Sequence, residues 1–100
     1  MPKDVHLKDV TAANWRAVIR LELEESQKEL LASNLYSIAE SKFDPNARPR
    51  AICAGKRVVG FIMYDVPDAD DERVASIYRF MIDRKHQGKG YGRAALAQAL

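Results

Sequence analysis

Ile82-Asp83-Arg84-Lys85-His86-Gln87-Gly88-Lys89-Gly90-Tyr91-Gly92-Arg93 lies where an apolar run gives way to a helical pattern, and its reading decides the fold. Glycines at every second position (Gly88, Gly90, Gly92) let the backbone curl tightly and approach a ligand without Cβ obstruction. Successive N–H groups in such a curl form an anion nest, and the dipole of the following helix adds positive potential. Arg84, Lys85, Lys89 and Arg93 surround the turn with cationic side chains, so a pyrophosphate is its natural guest. Two other phosphate loops do not match. G-x-x-x-x-G-K-[ST] is absent, and Gly88-x-Gly90-x-Gly92 is not the G-x-G-x-x-G of dinucleotide-binding folds.

Upstream of the turn, residues 73–82 predict a long strand, apolar on both faces near its end (Ile77, Phe80, Met81, Ile82) and therefore buried there. Residues 50–54, a turn at Gly55-Lys56, and residues 57–66 predict a hairpin, followed by an acidic loop carrying Asp68, Asp70, Asp71 and Glu72. At the start of the chain, residues 5–10 predict a short strand with Val5 and Leu7 on one face. Thr11 is placed to cap a helix from about Ala12, with Trp15, Val18, Ile19 and Leu23 on one side. Ser26-Gln27-Lys28-Glu29 is a capping box opening a second helix that runs to about Lys42, and Asp44-Pro45-Asn46 stops it. Beyond the glycine turn, residues 91–100 predict a helix with Leu96 and Leu100 inward. The order β-α-α-β-β-β-loop-α describes an α/β or α+β domain on a mainly antiparallel sheet.

One hundred residues, 47% hydrophobic and 30% charged, predict a single domain over 1–100 with no linker or second domain. No run approaches the ~18 apolar residues of a membrane span, and the first residues lack the apolar core of a signal peptide. A single cysteine, Cys53, excludes an internal disulfide, and with two histidines it cannot make a tetrahedral zinc site from N and S ligands. The expectation is a reducing, cytoplasmic setting without a metal. Charge divides along the chain. Residues 1–46 hold six Lys/Arg against eight Asp/Glu, and residues 47–100 hold ten against six. Such a division reads either as ordinary surface scatter or as a first half that tolerates cations and a second that tolerates anions, and composition does not choose between them. The basic residues cluster on one loop without interleaved aromatics, which argues against nucleic acid.

Gln87-Gly88-Lys89-Gly90-Tyr91-Gly92 matches the [QR]-x-x-G-x-[GA] signature and resembles the GNAT N-acetyltransferase superfamily. Residues 77–83 (IYRFMID) and 31–40 (LASNLYSIAE) resemble the bacterial spermine/spermidine, or diamine, acetyltransferase branch. The resemblance implies that Gln87, Gly88, Lys89, Gly90, Tyr91, Gly92 and Arg93 hold the pyrophosphate of acetyl-CoA. It also implies that the strand end at Phe80, Met81 and Ile82 pairs with the pantetheine arm, as a sheet edge can pair with an amide-rich ligand. A backbone N–H near Met81 is then the oxyanion candidate. The usual tyrosine general acid falls beyond Leu100, so these residues are expected to be the N-terminal two-thirds of the domain. Family members commonly pair, so a homodimer is expected.

The implied reaction moves acetyl to a primary amine of a small polycation such as spermidine or spermine, by direct attack in a ternary complex. The alternatives are another amine (a protein N-terminus or lysine, an amino acid, an aminoglycoside) or a non-catalytic acyl-CoA-binding module. Acidic groups attract a polyammonium, and the candidates are Glu24, Glu25, Glu29 and Glu40 around the two helices and Asp65, Asp68, Asp70, Asp71 and Glu72 near the second and third strands. Asn34 and Ser37 read either as a polar lining of the acceptor slot or as buried groups satisfying neighbouring backbone. Cys53 reads as a small buried hydrophobe, Tyr36 and Tyr78 as core aromatics, and His86 as an exposed loop residue.

Overall fold

The computed structural model describes residues 4–23, 33–67 and 76–99. Four strands, β1 (Val5–Asp9), β2 (Ala47–Ala54), β3 (Arg57–Asp65) and β4 (Ser76–Ile82), form one sheet in the order β1-β2-β3-β4. All three pairings are antiparallel. Among the described residues three α-helices accompany it, α1 (Trp15–Ile19), α2 (Asn34–Ser41) and α3 (Tyr91–Ala99), with a 3-10 turn at Arg84–His86. The mixed α/β architecture is the one the sequence predicts.

Both faces of the sheet are apolar, which explains the two-faced pattern of β4. Ala51, Cys53, Phe61, Met63 and Met81 share one cluster with Val18 of α1, and Ile38 of α2 packs against it. Val5, Ile52, Val59 and Ile62 share the other with Ala95 of α3, and Leu7, Phe80 and Ile82 pack there. Phe61, Ile52, Ile62 and Met63 are fully buried. Replacing one such side chain with alanine typically costs about 2–5 kcal/mol. The first strand keeps the predicted facing of Val5 and Leu7.

Several boundaries depart from the sequence reading, each for a local reason. β2 begins at Ala47 rather than Arg50, and Pro49 sits inside it opposite Met63. β1 reaches only as far as Arg50, so this proline lies where the strand has no second neighbour. α1 ends at Ile19, and Leu21 and Leu23 reach the core without helical geometry. α2 begins at Asn34, because Ser33 is extended and its hydroxyl accepts the Tyr36 N–H at 3.0 Å. The capping box at 26–29 and the first three residues of the predicted third strand, 73–75, lie outside the described residues. β4 is the outer strand of the described sheet. Its end is half-buried at Phe80 and Ile82 and buried at Met81.

Two register irregularities complete the sheet, between Ile52 and Cys53 against β3 and between Met63 and Tyr64 against β4. The first lets Val58 and Phe61, three residues apart, serve the same face. Gly60 beside it is forced by proximity: a Cβ there would stand 2.5 Å from the Met81 carbonyl oxygen and 2.8 Å from Ile82 Cδ1.

Candidate functional site

A cleft of about 360 Å³ opens along the end of β4, lined by Leu23, Phe80, Met81, Ile82, His86 and the turn from Gln87 to Gly92. One end is apolar and the other is backbone amide. The Asp83 N–H donates to the Val59 carbonyl at 2.7 Å. Alternation along an antiparallel ladder therefore turns the backbone groups of Ile82 and Phe80 away from β3 and those of Met81 toward Phe61. Met81, the expected oxyanion donor, thus has its own N–H committed to β3, and its neighbours carry the outward ones. Consistent with this, the Ile82 carbonyl accepts from Gln87 Nε2 at 3.0 Å, which folds the turn back onto the strand.

The three glycines do different work. Gly88 and Gly90 have φ of 80° and 84°, where L-residues are strained. Gly92 has no positive φ. A Cβ there would meet Phe80 Cζ at 3.3 Å, so this glycine lets α3 lie against the cleft-lining phenyl ring. The Gly90 carbonyl accepts from the Ala94 N–H at 3.2 Å, making Gly90 the first residue whose carbonyl enters the α3 ladder. The N–H groups of Tyr91, Gly92 and Arg93 lie in the first turn, which has no acceptors of its own. Their positive end of the helix dipole faces the turn, and this donor set fits a pyrophosphate. Lys85, Lys89 and Arg93 are exposed around it, whereas the Arg84 guanidinium is engaged with Glu22 Oε2 at 3.0 Å.

His86 is not the exposed loop residue the sequence suggested. Its side chain is 14% exposed and stacks edge-on to Tyr91, with ring centroids 6.1 Å apart. The two rings separate the β4 cleft from a second one of about 580 Å³ that carries Lys56, Arg57 and Lys89.

Polar side chains of α2 meet β4. Asn34 Nδ2 donates to the Val18 carbonyl at 3.0 Å and lies 3.7 Å from Met81 Sδ, so it ties α1 to α2 beside the cleft. Ser37 is fully buried, donating to the Ser33 carbonyl and accepting from Arg79 Nε at 3.2 Å. Arg79 Nη2 also reaches Glu40 Oε1 at 3.5 Å. Glu40 is thus paired with an arginine of β4. Glu24, Glu25, Glu29, Asp68, Asp70, Asp71 and Glu72 lie outside the described residues, as does the Tyr78 side chain. Tyr36 is 60% exposed and not a core residue. Cys53 is buried in the first cluster, and burial pushes its thiol pKa up against a small opposing effect of Lys8. That favours the neutral thiol over a nucleophilic thiolate.

Sequence reasoning missed Gly60, Arg79 and the pair Glu22–Asp83. A glycine inside an apolar strand signals a close backbone approach, and an arginine inside one signals a polar partner across the packing layer. The Asp83 contact with Glu22 spans 61 residues and leaves no local signal. Among the described residues there is no group of three or more metal-ligating side chains, and no helix is long and apolar enough to cross a membrane.

The fold is that of acetyltransferases. The chain superposes on an acetyltransferase from Thermus thermophilus with a TM-score of 0.63 and 23% identity, covering 98% of this chain and 68% of that one. It superposes on a spermidine N-acetyltransferase chimera from Vibrio cholerae and hSSAT with a TM-score of 0.69 and 18% identity, covering 97% and 60%. The family model described as Acetyltransferase (GNAT) family matches residues 15–100, and the chain belongs to that family. The spermine/spermidine N(1)-acetyltransferase of Bacillus subtilis (strain 168) is 28% identical over 92% of this chain. This chain spans 63% of the length of that relative.

Proposed function

We propose that the protein transfers an acetyl group from acetyl-CoA to a primary amine of a small polycation, with spermidine, spermine or a related diamine as the favoured acceptors. The observation that carries the donor assignment is the continuity of the cleft. A strand edge that no described residue pairs, with apolar flanks, runs directly into a glycine-built anion nest, matching a ligand with an amide arm and a pyrophosphate. When bound, acetyl-CoA supplies an activated thioester. Phe80, Met81 and Ile82 align the arm along β4; the outward N–H groups of Phe80 and Ile82 stand about 6.6 Å apart, so one is the proposed donor to the thioester carbonyl and the other pairs with an amide of the arm. Gln87, Gly88, Lys89, Gly90, Tyr91, Gly92 and Arg93 hold the diphosphate.

The acceptor assignment rests on likeness to the Bacillus spermine/spermidine enzyme. An aliphatic ammonium has a pKa of about 10 and must lose a proton before it attacks. Glu24 and Glu25 follow directly on Leu23, which lines the cleft, and Asn34 and Glu40 stand on α2; these are the proposed acceptor contacts, whereas the fully buried Ser37 holds Arg79 rather than substrate. A homodimer and a cytoplasmic setting belong to the same proposal, for sedimentation and fractionation to test.

Release of free thiol from acetyl-CoA by the full-length protein provides the test, with spermidine, spermine, diamines, amino acids, aminoglycosides and peptides as acceptors. Polyamine-dependent release is expected. Activity confined to peptides or aminoglycosides would reassign the acceptor, and coenzyme A binding without turnover on any amine would reject catalysis.

A further inference from the structure

We propose that Asp83 is a positioning residue: by clasping the backbone of Glu22 it holds Leu23 as a wall of the donor cleft. The inference rests on the donor assignment above and goes beyond it. After α1 ends, the Leu21 N–H makes a last bond back to Val18, and residues 21–23 continue without helical geometry. What holds them is the end of β4. Asp83 Oδ1 accepts the Glu22 N–H at 2.8 Å, and the Arg84 N–H donates to the Glu22 carbonyl at 2.7 Å. Both backbone groups of Glu22 are thus taken by two consecutive residues of the turn, as a ladder partner would take them. The Arg84–Glu22 ion pair is half-exposed and adds little.

Asp83 itself is 8% exposed, and a carboxylate so placed is costly unless its hydrogen bonds are made. Its immediate neighbour in sequence is Ile82 and the immediate neighbour of Glu22 is Leu23, and both line the cleft. The clasp therefore fixes the distance between two facing parts of the apolar end. The amide end is built by Gly88, Gly90 and the first turn of α3, and the Asp83 carboxylate reaches it only at one remove, through His86, whose Nε2 stands 4.0 Å from Asp83 Oδ2 and whose ring stacks on Tyr91. Loss of the clasp should loosen the grip on the arm and leave the grip on the diphosphate intact.

Calorimetry on the full-length protein with two ligands reads this directly: coenzyme A, and ADP, which carries a diphosphate but no pantetheine arm. Asp83→Ala should weaken coenzyme A by about three- to tenfold, the usual size of one lost hydrogen bond, with ADP changed less than about twofold. Asp83→Asn retains an acceptor oxygen and should restore most of the affinity. Leu23→Ala should show the same selective loss, and adding Asp83→Ala to it should cost little more, because both act through one wall. Equal weakening of both ligands, no weakening, or additive losses would overturn the proposal. If Asp83→Ala does not fold, Leu23→Ala decides it: coenzyme A affinity unchanged, or lost in step with ADP, rejects Leu23 as the wall. Wild-type protein that binds neither ligand would fail the donor assignment itself, before any variant is compared.

Discussion

Replacing Gly88 with alanine isolates the backbone contribution to donor binding. Gly88 has φ of 80°, and a Cβ at this position meets nothing within 4 Å, so the substitution introduces strain without a clash. Holding an L-residue in the left-handed region costs about 1–2 kcal/mol. Part of that loss is hidden in unfolding experiments, because alanine also restricts the unfolded chain by about 0.4–1 kcal/mol. The turn relieves its strain by leaving the binding conformation, which reduces the competent fraction and the apparent affinity in proportion. A penalty of about 1–2 kcal/mol corresponds to about 5–30-fold. Titration calorimetry with coenzyme A should therefore show a loss of that size, while the urea midpoint moves little. Gly55→Ala is the matched control: φ is 62°, nothing lies within 4 Å, and the residue sits in the β2–β3 turn outside the β4 cleft. It should lose a similar small amount of stability and no affinity. Wild-type affinity in Gly88→Ala, or an equal loss in Gly55→Ala, would refute the assignment of the nest to Gly88.

Gly60→Ala should be the more damaging glycine substitution for stability, since its Cβ would stand 2.5 Å from a backbone carbonyl that no rotamer change can move. Overpacking of this kind costs about 1–3 kcal/mol, and each kcal/mol lowers Tm by roughly 4–8 °C in a domain this size. An unchanged Tm by thermal circular dichroism would reject the close approach. Cys53, with its pKa raised by burial above the reference 9.0, binds a proton more tightly folded than unfolded. Its contribution to stability should thus be constant below about pH 9 and decline as pH rises through the folded pKa. Native protein should react slowly with maleimide at about pH 8, where an exposed thiol is partly ionised. Rapid modification, or a Cys53→Ala variant that loses the same stability as wild type as pH rises above the reference value, would contradict a buried neutral thiol.

Features encoded over a few residues were legible in the sequence. The Gly55-Lys56 hairpin, the alternation of Val5 and Leu7, and the position of the glycine turn between strand and helix all follow from local chemistry. The lengths of α1 and α2 did not, because each is set by a competing bond. Ser33 caps α2 late, and beyond Ile19 the chain leaves α1 for contacts with the end of β4. The three glycines looked equivalent in sequence, yet Gly92 serves packing against Phe80 while Gly88 and Gly90 serve conformation. Glu40 looked like a free acid until Arg79, 39 residues away, was placed beside it. Such contacts depend on which strand ends at the edge, and no periodicity records that.

The packing of α3 against β1 has a consequence for synthesis. Val5, Ile52, Val59 and Ile62 form one face of the sheet, but Ala95 completes their cover and Gln98 Nε2 donates to the Val5 carbonyl. Ribosomes add about 5–20 residues per second, so a sheet made as far as Asp65 waits on the order of 2–6 s for Ala95 to be added. During that interval the nascent sheet presents an aliphatic surface that chaperones recognise. Slowing translation between the codons for Asp65 and Ala95 should prolong that exposure, and the second face of this sheet is where misassembly during synthesis should begin.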